Sequence, residues 1–226
     1  MQTPGHRLRA KLELAQPTLA EAAQRLWGSP SVRELYPAYL CTMHMIVRAA
    51  VPLMRAALGQ ARAREGDDGV MESLAVYLER HVQEELGHDG WLEEDLRATG
   101  TDPRVLEQMV PSPRIATLVG AQYYWLHHHH PVALLGHIAA IESYPPPVGF
   151  AERLCTMTGY PPSAFRTIAR HAVLDIRHRR EFYEMIDELP LEREHEKVIG
   201  LSALHTVQAG VDVLLELHER FTQGSA

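Results

Sequence analysis

His171-Ala172-Val173-Leu174-Asp175-Ile176-Arg177-His178 reads H-x3-D-x2-H inside a long stretch of helical periodicity. An α-helix turns about 100° per residue, so offsets of four and seven return to within roughly 40° of the first side chain. His171, Asp175 and His178 therefore leave successive turns on one face. Two imidazoles and a carboxylate together suit a borderline metal such as iron, manganese or zinc. About 90 residues earlier the pattern recurs: His81-Val82-Gln83-Glu84-Glu85-Leu86-Gly87-His88 reads H-x3-E-x2-H, with Glu84 on the flank. Two matched triads predict two half-sites facing each other across a helical core.

The surrounding chain predicts helices nearly throughout. They run over residues 7–27, over 31–64 with a kink at Pro52, and over 70–98, where Thr99-Gly100 closes the helix that holds the first triad. A short helix follows Asp102-Pro103 and ends near Met109. Pro111-Ser112-Pro113 opens another, which runs to the four histidines 127–130. Further helices cover 132–142, 148–157, 163–188 with the second triad, and 191–221. Glu65 to Gly69 reads as a turn, and Gln223 to Ala226 as a frayed tail. No segment shows the alternation of a strand, and no linker is long enough to separate domains. The expected architecture is all-α: a single domain over 1–226, core about 31–222, built as a bundle of about seven helices.

Composition bounds the function. The chain has 226 residues, 46% hydrophobic, enough for a substantial core. A net charge of −7, with 22 basic residues scattered along the chain, argues against nucleic acid as the main partner. Cys41 and Cys155 form no CxxC, which excludes a zinc ribbon and a disulfide scaffold and fits a reducing cytoplasm. The first residues lack the apolar core of a signal peptide, and no apolar run approaches the ~18 residues of a membrane span.

A di-metal centre in a helical bundle takes carboxylates and histidines from several helices. Glu142 is the candidate bridging group, because it is the only acid between Pro131 and Ser143 in an otherwise apolar helix. A buried carboxylate needs a partner, and a metal is one. The expected ligands are thus His88, Glu142, His171, Asp175 and His178. His81, Glu84 and Glu85 compete for one more place. Glu85 ranks first, since it makes E-x-x-H with His88, and His81 is the alternative as ligand or supporting partner. Each residue alone could equally be a solvated helix-surface group; the set is what points to a metal.

His127 to His130 leave a helix in four directions and cannot converge on one ion, so they read as a helix end. His44, His137, His205 and His218 read as structural or exposed. Cys155 has no evident base, Tyr123-Tyr124-Trp125 reads as core packing, and GxSxG, HExxH and phosphate-loop motifs are missing.

Three stretches together resemble a known family. Glu84-Glu85-Leu86-Gly87-His88-Asp89-Gly90-Trp91-Leu92-Glu93-Glu94-Asp95-Leu96, then His130 to Gly136 with Glu142 following, and His171 to His178 are similar to the iron-containing redox enzymes, which are haem-oxygenase-like di-iron oxidases and oxygenases. The resemblance covers roughly residues 35 to 190. It implies a seven-helix haem-oxygenase-like fold without haem and two Fe(II) per chain, the second labile. It also implies O2 activation leading to N-oxygenation, desaturation or C–C cleavage of an amino acid, amine or fatty acid, in specialised metabolism. On the family pattern His88, Glu142, His171, Asp175 and His178 fall on ligand positions. The remaining carboxylate falls at Glu85 in some members and at the position of His81 in others.

The two ions are expected between the third, fifth and sixth helices. The substrate pocket is expected against the second helix and near Tyr123, Arg166 or Arg170, where an arginine could clamp a carboxylate, although both arginines read first as surface residues. Expected partners are a small-molecule substrate, an external electron donor and a second copy of the chain in a homodimer, with neither nucleic acid nor membrane. The rivals are a metal-free haem-oxygenase-like enzyme, of the cofactor-maturation oxidase or thiaminase-II type, and a non-enzymatic iron-binding bundle.

Overall fold

The computed structural model describes residues 2–64, 66 and 68–222. Among them there is no strand. Eleven α-helical segments follow in order: α1 Pro4–Trp27, α2 Val32–Val47, α3 Ala50–Ala63, α4 Met71–Glu85, α5 His88–Ala98, α6 Val105–Gln108, α7 Pro113–His128, α8 Leu134–Glu142, α9 Phe150–Thr158, α10 Arg166–Glu188 and α11 Arg193–Thr222. Short 3-10 turns at Pro131–Ala133 and Pro162–Ala164 lead into α8 and α10. The expected tail Gln223 to Ala226 lies outside the described residues, as do Glu65 and Asp67 of the expected turn.

The all-α expectation holds, but seven helices is too few, and the extra segments come from breaks within expected helices. The 31–64 stretch does not kink at Pro52. It breaks at Arg48 and Ala49, which leaves Pro52 in the first turn of α3. There the missing N–H has no intrahelical acceptor to lose. The 70–98 stretch breaks at Leu86 and Gly87, separating α4 from α5. Other boundaries follow their signals: Ser112 caps α7 by accepting from Ile115 N–H, with Pro113 at the first helical position.

α11 is the axis of the molecule, with α1 and α8 packed along it. Its length and hydropathy are those of a membrane-crossing helix, contrary to the expectation that no stretch approaches one; more than half of its most apolar window is buried against its neighbours, the signature of a core helix. Gly136 lets α8 approach α11 closely: a Cβ there would stand 2.1 Å from the Ile199 carbonyl oxygen. α8 is buried on nearly all sides from Leu134 to Ala140. α1 adds Leu8 and Leu12 to the largest apolar cluster, and Arg7 pairs with Glu196 through two bonds of 2.6 and 2.7 Å. A second cluster, around Tyr36, Leu96, Leu154 and Phe165, joins α2, α5, α9 and the entry to α10.

Candidate metal centre

The break between α4 and α5 shapes the site. His81, Glu84 and Glu85 occupy the last two turns of α4, whereas His88 opens α5. Leu86 is extended and Gly87 left-handed, with φ 86°. A residue with a Cβ is strained there, so glycine permits the turn. The first triad therefore does not share one helical face. The second does: His171, Asp175 and His178 all belong to the unbroken α10. Glu142, the last residue of α8, is buried among these helices.

The side chains gather in two groups. Around Glu142, His81 Nε2 and His178 Nδ1 lie 3.1 and 3.7 Å from the same Oε1. The His81 and His178 rings meet edge to face, 5.9 Å apart. Around Glu85, His88 Nδ1 lies 3.0 Å from Oε2, and the His88 and His171 rings meet edge to face at 5.3 Å. Donor atoms of His81, Glu85 and Glu142 fall within 4.8 Å of one another, so the two groups adjoin. Glu84 takes a different part. It hydrogen-bonds His81 Nδ1 from behind at 3.2 Å, turning Nε2 towards Glu142.

The electrostatics fit a bound cation. Burial, then the charges of Glu142 and Glu85, push the Asp175 carboxyl up to about 8. Glu142 Oε2 is buried with no hydrogen-bond partner, and the buried His88 Nδ1 faces Glu85 Oε2 at 3.0 Å without hydrogen-bond geometry. Burial alone would raise Glu85, but the adjacent His88 and the charges of His81 and His171 hold its carboxyl low. Burial opposes charging of His81, yet Glu142 beside it, with Glu85 and Glu84, raises the imidazole above its ordinary value. Burial lowers His171. Its Nδ1 lies 3.0 Å from the Thr167 carbonyl, which can only accept. Nδ1 therefore carries the proton, and the Nε2 lone pair is free for a metal. Three carboxylates and four imidazoles meet here; among the described residues no lysine or arginine lines the cavity, and Arg177 donates to His178 Nε2 at 3.2 Å from outside it. A divalent ion would satisfy the orphaned atoms and relieve the repulsion.

His81, Glu85, Glu142, His171 and Asp175 form the polar end of a cavity of 330 Å³. Tyr39, Met43, Ile46 and Val47 of α2 form another wall, as expected for the second helix. Tyr123, Arg166 and Arg170 do not reach the cavity, which corrects the expected substrate clamp. Tyr123 packs against the main core. Arg166 turns outward to the Ser163 carbonyl and to Glu94, and Arg170 lies over the Trp91 ring at 4.4 Å.

Two features went unrecognised in the sequence. Asp95 is fully buried on α5 and accepts from Thr167 N–H at 2.8 Å, capping the start of α10 one turn before His171. An aspartate in register with the core residues Leu92 and Leu96 was the available signal. The other is a cluster of Asp68, His130 and His195. Both Nε2 atoms meet Asp68 Oδ2, at 3.2 and 2.9 Å. Both Nδ1 atoms accept backbone N–H bonds, from Val132 and Glu192. The neutral rings must then carry their protons on Nε2 and donate them to Asp68, so no lone pair remains for an ion. Burial pushes His130 down to about 4, which keeps that arrangement. The cluster is a clasp between the approach to α4, the turn before α8 and the start of α11. His127, His128 and His129 stay exposed, as a helix end should.

Among solved structures, similarity extends over almost the whole chain. A domain of unknown function with a heme oxygenase-like fold from Shewanella denitrificans superposes with a TM-score of 0.75 at 16% identity, covering 97% of this chain and 92% of that one. A TenA homolog from Pseudomonas syringae gives 0.71 at 15%, covering 95% and 91%. A CADD-like protein of unknown function from Nostoc punctiforme gives 0.67 at 16%, covering 95% and 98%. At such identities the likeness establishes the fold alone, which is haem-oxygenase-like. No curated protein matches the sequence. The sequence model of the family described as "iron-containing redox enzyme" matches residues 38–211, a span that holds all the gathered histidines and carboxylates, and the chain belongs to that family.

Proposed function

We propose that the protein is an O2-dependent non-haem di-iron oxidase or oxygenase that acts on a small, largely apolar molecule held in the cavity beside Glu142. The convergence of Glu85, Glu142 and Asp175 with four imidazoles at one end of that cavity carries the reading. His81 and Glu142 would hold one ion, joined by His178 through Nε2 where the ion displaces the Arg177 hydrogen bond, and Glu85, His88 and His171 would hold the other, with Asp175 as a further ligand. Ferrous ions there would supply the electrons that let O2 oxidise a C–H bond or an amine.

The chain's own residues do the rest. Glu84 orients His81, and the Thr167 carbonyl fixes the His171 tautomer. The apolar walls exclude water and bring substrate carbon against the polar end. An external electron donor, a homodimer and a reducing cytoplasm complete the proposal; the two unpaired cysteines fit the last. The metal-free alternative of the TenA type would need a nucleophile. Cys155 lies outside the cavity, and burial raises its thiol, so it is a poor one.

The test is anaerobic Fe(II) titration followed by O2 uptake in the presence of amines, fatty acids, amino acids and apolar ketones. Two irons per chain and uptake stimulated by one compound class are expected. Full activity at one iron per chain would overturn the two-iron centre. Absence of both iron binding and O2 uptake would favour a metal-free enzyme.

A further inference from the structure

The cavity wall holds a polar network that the metal centre does not use. Ser202, Gln122, Thr206 and His137 are all buried, on α11, α7, α11 and α8. Ser202 Oγ donates to Gln122 Oε1 at 3.2 Å. Gln122 Nε2 donates to the Leu118 carbonyl at 3.2 Å and to Thr206 Oγ1 at 3.4 Å. Thr206 Oγ1 meets His137 Nδ1 at 3.2 Å. His137 and Thr206 both line the cavity.

The direction of the chain follows from donor and acceptor inventory. The Gln122 amide nitrogen can only donate, so Thr206 Oγ1 accepts there, and among the described residues its own proton has no acceptor other than His137 Nδ1. Nδ1 then lacks a proton, and in the neutral ring Nε2 carries it. Nε2 makes no hydrogen bond to the described residues. Burial pushes His137 down to about 4, so the ring is neutral near pH 7. The network thus ends in one N–H donor at the lining of an otherwise apolar wall. A buried donor left unmatched is costly, so a ligand that fills this space has to offer an acceptor.

We infer that His137 is a specificity-determining residue that reads a neutral oxygen acceptor, such as the carbonyl of a ketone, ester or amide, on an otherwise apolar substrate. Charge disfavours an anion: among the described residues no lysine or arginine lines the cavity, whereas Glu85 and Glu142 do, so a substrate carboxylate would be desolvated beside like charges. Length is set by α8. His137 precedes Glu142 by five residues, about 7.5 Å along the helix axis and about 140° around it, so the acceptor stands farther than the axial rise from the oxidising end. The inference rests on this cavity being the substrate site of the proposed oxidase. Its test uses the metal-free full-length chain, so it can fail while iron binding and O2 uptake succeed, or the reverse.

Nitrogen NMR of 15N-histidine-labelled protein, with His137 assigned through His137→Phe, reads the tautomer directly. The expected result is a proton on Nε2 at pH 7. Titration with 2-octanone and octanoate then reads the ligand class. The ketone should bind and move the His137 Nε2 signal, with octanoate at least tenfold weaker. Thr206→Val, which keeps the shape and removes the hydroxyl, should weaken ketone binding about tenfold. Tyr39→Phe, the control at a second cavity hydroxyl, should leave it within twofold. A proton on Nδ1 would overturn the inference, as would ketone binding that leaves His137 unmoved, octanoate binding as tightly as the ketone, or no ketone binding up to its solubility limit. Loss of the ketone preference in Tyr39→Phe but not in Thr206→Val would assign the role to Tyr39 instead.

Discussion

The two triads have the same spacing and different geometry. On α10, His171, Asp175 and His178 ride one continuous helix, and the helix alone fixes their relation. In the other copy the chain turns at Leu86 and Gly87, so His81 and Glu85 end one helix and His88 begins the next. His81 goes to Glu142 and His178, whereas His88 goes to Glu85 and His171. The broken triad thus supplies both groups from one short stretch of chain. An unbroken helix could not aim His88 independently of His81. Spacing reports a shared face only while the backbone stays helical.

The largest effect is expected where both triads depend on one residue. Glu142→Ala removes the carboxylate between His81 and His178. Iron-dependent activity should fall by more than about 100-fold, because losing a ligand exceeds the loss from removing a supporting partner. Far-UV circular dichroism should stay helical and iron content should drop. A variant with wild-type iron content would break the grouping around Glu142.

Asp175 belongs to the unbroken triad, and its carboxyl sits at about 8 without metal. Binding a cation must expel its proton, so iron affinity should rise with pH up to about 8, by about tenfold per unit for this proton alone. Asp175→Asn should flatten the slope by about one proton. The sign for folding is opposite. The folded pKa is raised, so the stabilising share of Asp175 is present below its unfolded value and lost as pH rises through about 8. Metal-free protein should thus lose stability between pH 4 and 8, and Asp175→Asn should lose less. Urea midpoints across that range decide it.

Much of this was legible in the chain. The α10 triad could be placed from periodicity, and Glu142 from being the lone acid of an apolar helix. What escaped depended on backbone dihedrals or on remote partners. Gly87 sits within a helical pattern, and one glycine does not announce whether it breaks the helix or rides in it. Asp68, His130 and His195 lie far apart in sequence, and the direction of their hydrogen bonds, which turns a metal-like set into a clasp, is visible only in three dimensions. Arg166 and Arg170 read first as surface residues and second as a carboxylate clamp, and the first reading holds: both are exposed, Arg166 beside Glu94 and Arg170 over Trp91.

Gly87→Ala tests the break between α4 and α5 itself. An L side chain at φ 86° should lower the unfolding free energy by about 1–2 kcal/mol. It should also weaken iron binding by disturbing His88. Val173→Ala is the matched change within the unbroken triad, at a site 69% exposed on α10, and should shift stability by no more than about 0.5 kcal/mol. Equal effects from the two variants would mean that the turn is not what aims His88.

The smallest effect belongs to the residue that joins the two halves without touching the centre. Asp95 on α5 caps α10 by accepting from Thr167 N–H, so one carboxylate ties the helix opened by His88 to the first turn below His171. Burial raises its carboxyl while the Thr167 and Arg166 contacts pull the other way. Asp95→Ala leaves an N–H at the α10 terminus without its acceptor, at about 1 kcal/mol of stability. Because no metal-directed atom is removed, iron stoichiometry should stay at the wild-type value. The spectroscopic signature of the His88–His171 side should change more than that of the His81–His178 side. If both sides move equally, α10 shifts as a rigid rod and the cap only anchors it. If only the former moves, the first turn of α10 is held in place by α5, and the broken triad positions part of the unbroken one.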